Sequence, residues 1–232
     1  MPGYRLTVLG LLAAAAAAGA APVHPQALNE PLQKYVAARI AEFDKIPADR
    51  REELRKLALD IHDRLERNQT ARLIFICTHN SRRSQLCQIW GATAAAYYGV
   101  LRIETYSGGT QATAFNSRAV AALRRAGLVI DQPKMTQNPR YQVRYRDDGP
   151  GLECFSKVYF AAPNPRSDFC AVMTCAQADK MCPLVKGAAL RISLPFDDPK
   201  EFDGTPQEAA GYDERCRQIA REVLFAFSNV QP

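Results

Sequence analysis

One stretch of thirteen residues, Arg72-Leu73-Ile74-Phe75-Ile76-Cys77-Thr78-His79-Asn80-Ser81-Arg82-Arg83-Ser84, restricts the possible folds of this chain more than any other. Arg72 to Ile76 is dominated by β-forming apolar side chains, the pattern of a buried strand. At Cys77 the run stops and a polar loop begins. From Ser84 onward Leu86, Ile89, Trp90, Ala94 and Tyr97 recur at helical spacing. A strand, a tight loop and a helix in that order gather backbone N–H groups around an anion, with the positive end of the helix behind them. Within the loop stand a thiol, Cys77, and an arginine six residues later, Arg83.

The thiol needs such a place in order to react. An ordinary thiol has a pKa near ~8.5, so only about 3% is thiolate at neutral pH. A helix N-terminus together with a guanidinium favours the thiolate. Arg83 offers a fork of donors that fits two oxygens of a tetrahedral anion. Ser84 is placed to donate to the sulfur, and Asn80 suits a tight turn because Asn tolerates unusual backbone angles. The competing reading is a structural cysteine at a strand end beside a surface arginine. The strand–loop–helix context with Asn80 and Ser84 in place favours the nucleophile.

Cys77-Thr78-His79-Asn80-Ser81-Arg82-Arg83-Ser84 resembles the C-x5-R-S loop of the low-molecular-weight tyrosine phosphatases and of the thioredoxin-coupled arsenate reductases built on the same fold. It keeps that family's Cys, Asn, Arg and Ser. His79 stands where the family usually has Gly, and Arg82 where it often has a second Cys. The resemblance implies that Thr78, His79, Asn80, Ser81, Arg82 and Ser84 line the substrate anion, with Cys77 as nucleophile and Arg83 as its clamp.

At 232 residues the chain can bury one good core plus an extension. A formal charge of +6, without any Lys/Arg block, gives no sign of a nucleic-acid partner. Seven cysteines is an odd number, and several lie in apolar runs, which does not suit a secreted disulfide scaffold. The N-terminus nevertheless reads as an export signal. Arg5 precedes Leu6 to Leu12 and a run of alanines that ends Ala18-Gly19-Ala20. Residues 1–20 are therefore expected to be a signal peptide of a periplasmic or secreted protein, or a mis-assigned start of a cytoplasmic one. No other segment is long and apolar enough to span a membrane.

Residues 21–70 are expected to form a helical extension and 71–232 the main domain. Leu32, Tyr35, Val36, Ile40 and Phe43 mark one amphipathic helix. After Pro47, Asp49 and Glu52 resemble a capping box, and Leu54, Leu57, Ala58, Ile61 and Leu65 share one face of a second helix. Both helices are expected to pack on the main domain. Further strands are expected at Leu101–Tyr106, Asp168–Thr174 and Ala188–Leu194, with a helix capped by Asn116 and ending at Gly127. The long crossovers favour an α/β fold: a four-stranded parallel sheet with helices on both faces. Pro133 to Ser167 reads as a long irregular lid or insertion, where Tyr141, Arg144 and Tyr145 either cover the site or lie in solvent. A last helix carries Cys216, Ile219, Ala220, Val223, Leu224 and Phe227 on one face.

Cys175 and Cys182 follow the third strand. They could be two zinc ligands, two unrelated core thiols, or a redox pair. Zinc lacks a fourth ligand nearby, and no metal site or bound cofactor is expected. The spacing Cys-x6-Cys-Pro after Val-Met-Thr resembles the arsenate reductases, and that resemblance implies a relay. Cys77 attacks arsenate, Cys175 attacks Cys77 and expels arsenite, and Cys182 carries the disulfide to a thioredoxin-like dithiol. Phe196-Asp197-Asp198-Pro199 resembles the loop whose aspartate protonates the leaving oxygen. That role would fall to Asp198, which would need a raised pKa. The same residues without the cysteine pair would serve a phosphotyrosine or aryl phosphate phosphatase. A catalytically weak oxyanion-binding protein is the third reading.

Overall fold

A computed structural model of the chain describes residues 28–134 and 136–230. The expected signal segment, residues 1–20, lies outside the described residues. The chain begins with helix α1 (Glu30–Ile40) and, after a 3-10 turn, helix α2 (Ala48–Glu66). Strand β1 (Ala71–Cys77) leads through the polar loop into α3 (Arg83–Tyr98), then β2 (Ile103–Gly109) and α4 (Ser117–Arg125). Three short strands follow: β3 (Val129–Ile130), β4 (Tyr141–Arg144) and β5 (Leu152–Cys154). The last elements are β6 (Phe169–Met173), α5 (Ala176–Met181), β7 (Ala188–Ser193) and α6 (Glu208–Ser228).

The central sheet has four parallel strands in the order β2-β1-β6-β7, as the crossover lengths require. Strand alternation divides the core in two. Leu73 and Phe75 of β1, with Cys170 and Val172 of β6, face a large cluster built from α1, α2, α3, α4 and α6. Ile74 and Ile76, with Phe169, Ala171 and Met173, face a smaller cluster under α5. Because every pair is parallel, all four strands present their C-terminal ends at one edge, where ligand sites of open α/β sheets form. Cys77 and Gly109 end β1 and β2 at that edge, and Cys175 and the Phe196–Asp198 segment follow β6 and β7 there.

Several local expectations shift. Strand β2 starts and ends later than its apolar run, because Arg102 turns at φ 56° and Gly108 and Gly109 extend the ladder opposite Ile76 and Cys77. Helix α2 starts at Ala48 with Pro47 as its cap residue and no side-chain cap, so Asp49 and Glu52 form no capping box. Asp49 instead lies in the first turn, where its charge suits the helix dipole. Residues 133–167 are not simply irregular, since their strands β4 and β5 join the preceding β3 in a second, antiparallel sheet. Tyr141 is buried edge-on against Phe115, and Arg144 pairs with Asp131, so neither serves as a cover over the thiol.

Candidate active site

The loop after β1 is held from outside by its carbonyls. Those of Cys77 and Thr78 accept from the amides of Thr110 and Gln111, that of Ser81 from Asn116, and that of Arg82 from Leu86. The His79 carbonyl accepts from Ser156 Oγ at 3.0 Å and the Asn80 carbonyl from Gln85 Nε2 at 3.2 Å. With the carbonyls engaged outward, the amides remain as the free donors of the turn. Among the described residues none of the amides from Thr78 to Arg83 donates to a protein acceptor. This is the arrangement of an anion nest at a helix N-terminus.

Asn80 fixes the turn. It sits fully buried at φ 46°, and its Oδ1 accepts from the Lys157 amide at 2.9 Å and from Gln85 Nε2 at 3.1 Å. Its Nδ2 donates to Ser84 Oγ at 2.8 Å, and Ser84 Oγ lies 3.0 Å from Cys77 Sγ. Since Ser84 Oγ already accepts from Asn80, its own proton is free to point at the sulfur. Gly109 lets the loop come close: a Cβ there would lie 2.8 Å from Asn80 N and 2.8 Å from the Thr78 carbonyl.

Asn138, Ser156 and Gln85, which complete this support, were not singled out in the sequence. Ser156 exchanges backbone bonds with the Asn138 amide group at 2.8 and 3.1 Å while its hydroxyl holds His79. The insertion thus braces the anion loop rather than covering it. No local pattern announces this, because the partners lie 77 residues apart.

Cys77, His79, Ser81, Arg82 and Arg83 line a small depression in the surface. Arg83 Nη1 donates to the Phe196 carbonyl at 3.0 Å and Nη2 to Asp198 Oδ2 at 2.7 Å, while its Nε is buried and unpaired. Arg82 Nε donates to Asp198 Oδ1 at 2.7 Å. Asp198 faces the thiol loop, and its carboxyl lies lower than usual in this arrangement. Burial pushes the carboxyl up; the Arg82 hydrogen bond and the charges of both arginines push it down and prevail, so it lies below the ordinary 3.8.

Cys175 is fully buried and caps α5, accepting from the Ala178 amide at 3.3 Å. Thr78 Oγ1 lies 3.5 Å from its sulfur and so links it to the anion loop. Cys182 ends α5 and is partly exposed, between the exposed side chains of Met181 and Leu184. Arg191 anchors the helix by donating to Asp179 Oδ1 at 2.6 Å and to the Cys182 carbonyl at 3.2 Å. All seven cysteines are free thiols.

No protein-family model matches the chain. An arsenate reductase of Halalkalibacterium halodurans is 26% identical over 156 residues, which is 67% of this chain and 94% of that protein. An arsenate reductase of Bacillus licheniformis is 28% identical over 156 residues, with the same shares of 67% and 94%. Among solved structures, a YwlE mutant from Bacillus subtilis superposes with a TM-score of 0.50 at 14% identity, covering 70% of this chain and 100% of that one.

Proposed function

For an enzyme with the low-molecular-weight phosphatase fold and sequence kinship to arsenate reductases, we propose the reduction of arsenate to arsenite through a Cys77 adduct and a Cys175–Cys182 relay. The observation that carries the reading is the set of unpaired donors, the Thr78–Arg83 amides and Arg83 Nε, in the same turn as a thiol hydrogen-bonded to Ser84. Such a set suits a tetrahedral oxyanion.

In the first step the Cys77 thiolate attacks arsenic. A sulfur–arsenic bond forms, and one arsenic-bound hydroxyl leaves as water with a proton from Asp198. Asp198 gains that proton when the substrate draws Nη2 of Arg83 away and brings its own negative charge, both of which raise the carboxyl's proton affinity. Next the Cys175 thiolate attacks the sulfur of Cys77. The sulfur–sulfur bond forms, the sulfur–arsenic pair stays on arsenic, and arsenic(V) leaves as arsenite, arsenic(III). Cys182 then attacks the sulfur of Cys175 and releases Cys77 as thiolate.

The last exchange requires α5 to open. Seven residues along a helix separate two Cα atoms by roughly 10 Å, whereas a disulfide needs about 4.4–6.8 Å. Unwinding six residues supplies that freedom and carries the disulfide outward. The exposed Met181 and Leu184 beside Cys182 offer an apolar approach to a thioredoxin-like dithiol.

The test is steady-state turnover of arsenate with thioredoxin, thioredoxin reductase and NADPH, run beside hydrolysis of an aryl phosphate. Arsenate turnover that disappears in Cys77→Ser is the expected result. Aryl phosphate hydrolysis by a wild type that never reduces arsenate would make the enzyme a phosphatase with two structural cysteines.

A further inference from the structure

We propose that Arg50, on helix α2 of the N-terminal extension, is a positioning residue for the oxyanion grip of Arg83. The inference rests on the reading of the site as an oxyanion site, and it extends that site into a helix that carries no residue of the thiol relay.

Arg50 is gripped on two sides. Its Nε donates to Glu222 Oε2 of α6 at 2.6 Å, in a pair whose side chains are only 16% and 3% exposed. Its guanidinium lies over the ring of Phe196, 4.6 Å from the ring centre. Glu222 is itself steadied by Gln218 Nε2 at 2.9 Å. Phe196 is buried, and its backbone is spoken for at both ends: its amide donates to the Thr174 carbonyl at 3.1 Å, and its carbonyl accepts Arg83 Nη1 at 3.0 Å. A continuous line therefore runs from Glu222 through Arg50 and Phe196 to the arginine of the anion loop.

The geometry of Arg83 gives this line its consequence. A guanidinium is planar, and fixing one nitrogen with a directional acceptor sets where the others point. With Nη1 held on the Phe196 carbonyl, the Nε–Nη2 edge is the one left for an oxyanion; Nε is unpaired, and Nη2 is on Asp198. If the Phe196 ring loses its cover, the peptide can tilt, and the Arg83 edge turns with it. Asp198 is two residues further along the same segment and moves with it. Arg50 does this without touching the substrate, Cys77 or Asp198.

The probe is inorganic phosphate, and the readout is its protection of Cys77 against iodoacetamide, followed by mass spectrometry of the Cys77 peptide. Arg50→Met keeps the apolar stem and removes the charge and the planar stack. It should weaken phosphate protection by about tenfold, or ~1.4 kcal/mol, while alkylation without phosphate changes less than roughly twofold. Arg50→Lys should fall between the two, since it restores charge without the flat face. A purely structural role would lower the melting temperature and leave phosphate affinity unchanged. Phosphate protection in folded Arg50→Met within roughly twofold of the wild type overturns the proposal. If Arg50→Met does not fold, Phe196→Leu decides, because it keeps the carbonyl and the burial but removes the ring; wild-type protection in that variant overturns the proposal as well. A wild type that binds phosphate but never turns over arsenate defeats the reductase reading alone, and the same binding ratios still judge Arg50.

Discussion

Asp198 is held between two opposite demands. In the proposed acid role it needs a proton at the moment the leaving oxygen departs, yet Arg82 and Arg83 hold its carboxyl below 3.8, so it is ionised in this arrangement. Its carboxylate also occupies Nη2 of Arg83, a donor that an oxyanion needs. Asp198→Asn should therefore do two things at once. Phosphate should bind several-fold more tightly, because a competing negative charge is gone. Hydrolysis of aryl phosphates with poor leaving groups should fall on the order of 10²-fold, and of those with good leaving groups far less. Binding and leaving-group series measured on one preparation check both, and an equal loss for all leaving groups would remove Asp198 from the acid role. The ion pair has a pH signature as well. The folded pKa is lower than the unfolded one, so the unfolded chain takes up the proton first. The stabilisation is complete above the ordinary carboxyl value of 3.8 and is lost as pH falls through the lower folded value. Asp198→Asn should lose that part of the acid sensitivity.

At the scale of elements the short helix α5 gives the two cysteines different tasks in the proposed relay. Cys175 is buried at its start beside Thr78, and Cys182 is partly exposed at its end. Cys175→Ser should stall before arsenite leaves, since no other thiol of the relay can attack the adduct. Cys182→Ser should release one arsenite per enzyme and stop as a Cys77–Cys175 disulfide, detected by mass after digestion. Multiple turnover in either variant would end the relay reading. These elements were legible in the sequence because each rests on a local signal: the apolar runs of β1 and β6, the Asn116 cap, and Asn80 at the turn. The small antiparallel sheet was not legible. Tyr141-Gln142-Val143-Arg144 alternates inward and outward over only four residues, and β3 contributes two. Pairings as short as these are decided by what they pack against, not by propensity. Asp198 shows the same limit in the site itself. Its place opposite the loop followed from the Asp-Pro resemblance, but its lowered pKa depends on two arginines 115 and 116 residues away.

At the scale of the whole molecule, α1 and α2 share the core of the parallel sheet. Leu32, Val36, Leu54, Leu57 and Ile61 are at most 1% exposed and belong to the same apolar cluster as Phe75, Trp90 and Phe227. Tyr35 stacks on Trp90 with ring centres 5.4 Å apart, Phe43 meets Phe225 edge-on at 5.3 Å, and Glu42 receives Arg217 from α6. A surface appendage would unfold by itself, but helices that complete a core must unfold with it. Leu57→Ala leaves a void on α2 in the middle of that cluster. It should cost about 2–5 kcal/mol, and at about 2–4 °C per kcal/mol for a chain of this size the melting temperature should drop accordingly. The sharper expectation is the shape of the transition. Far-UV circular dichroism, which follows all helices, and Trp90 fluorescence, which follows the core, should move together in the wild type and in Leu57→Ala alike. An early helical transition in the variant, with Trp90 still buried, would show that the extension is a separate unit. It would also mean that α2 is too loosely attached to steady Phe196 through Arg50. Coincident transitions are what a helix needs if it is to steady Arg83 in the proposed site from 33 residues upstream in the chain, the difference between positions 83 and 50.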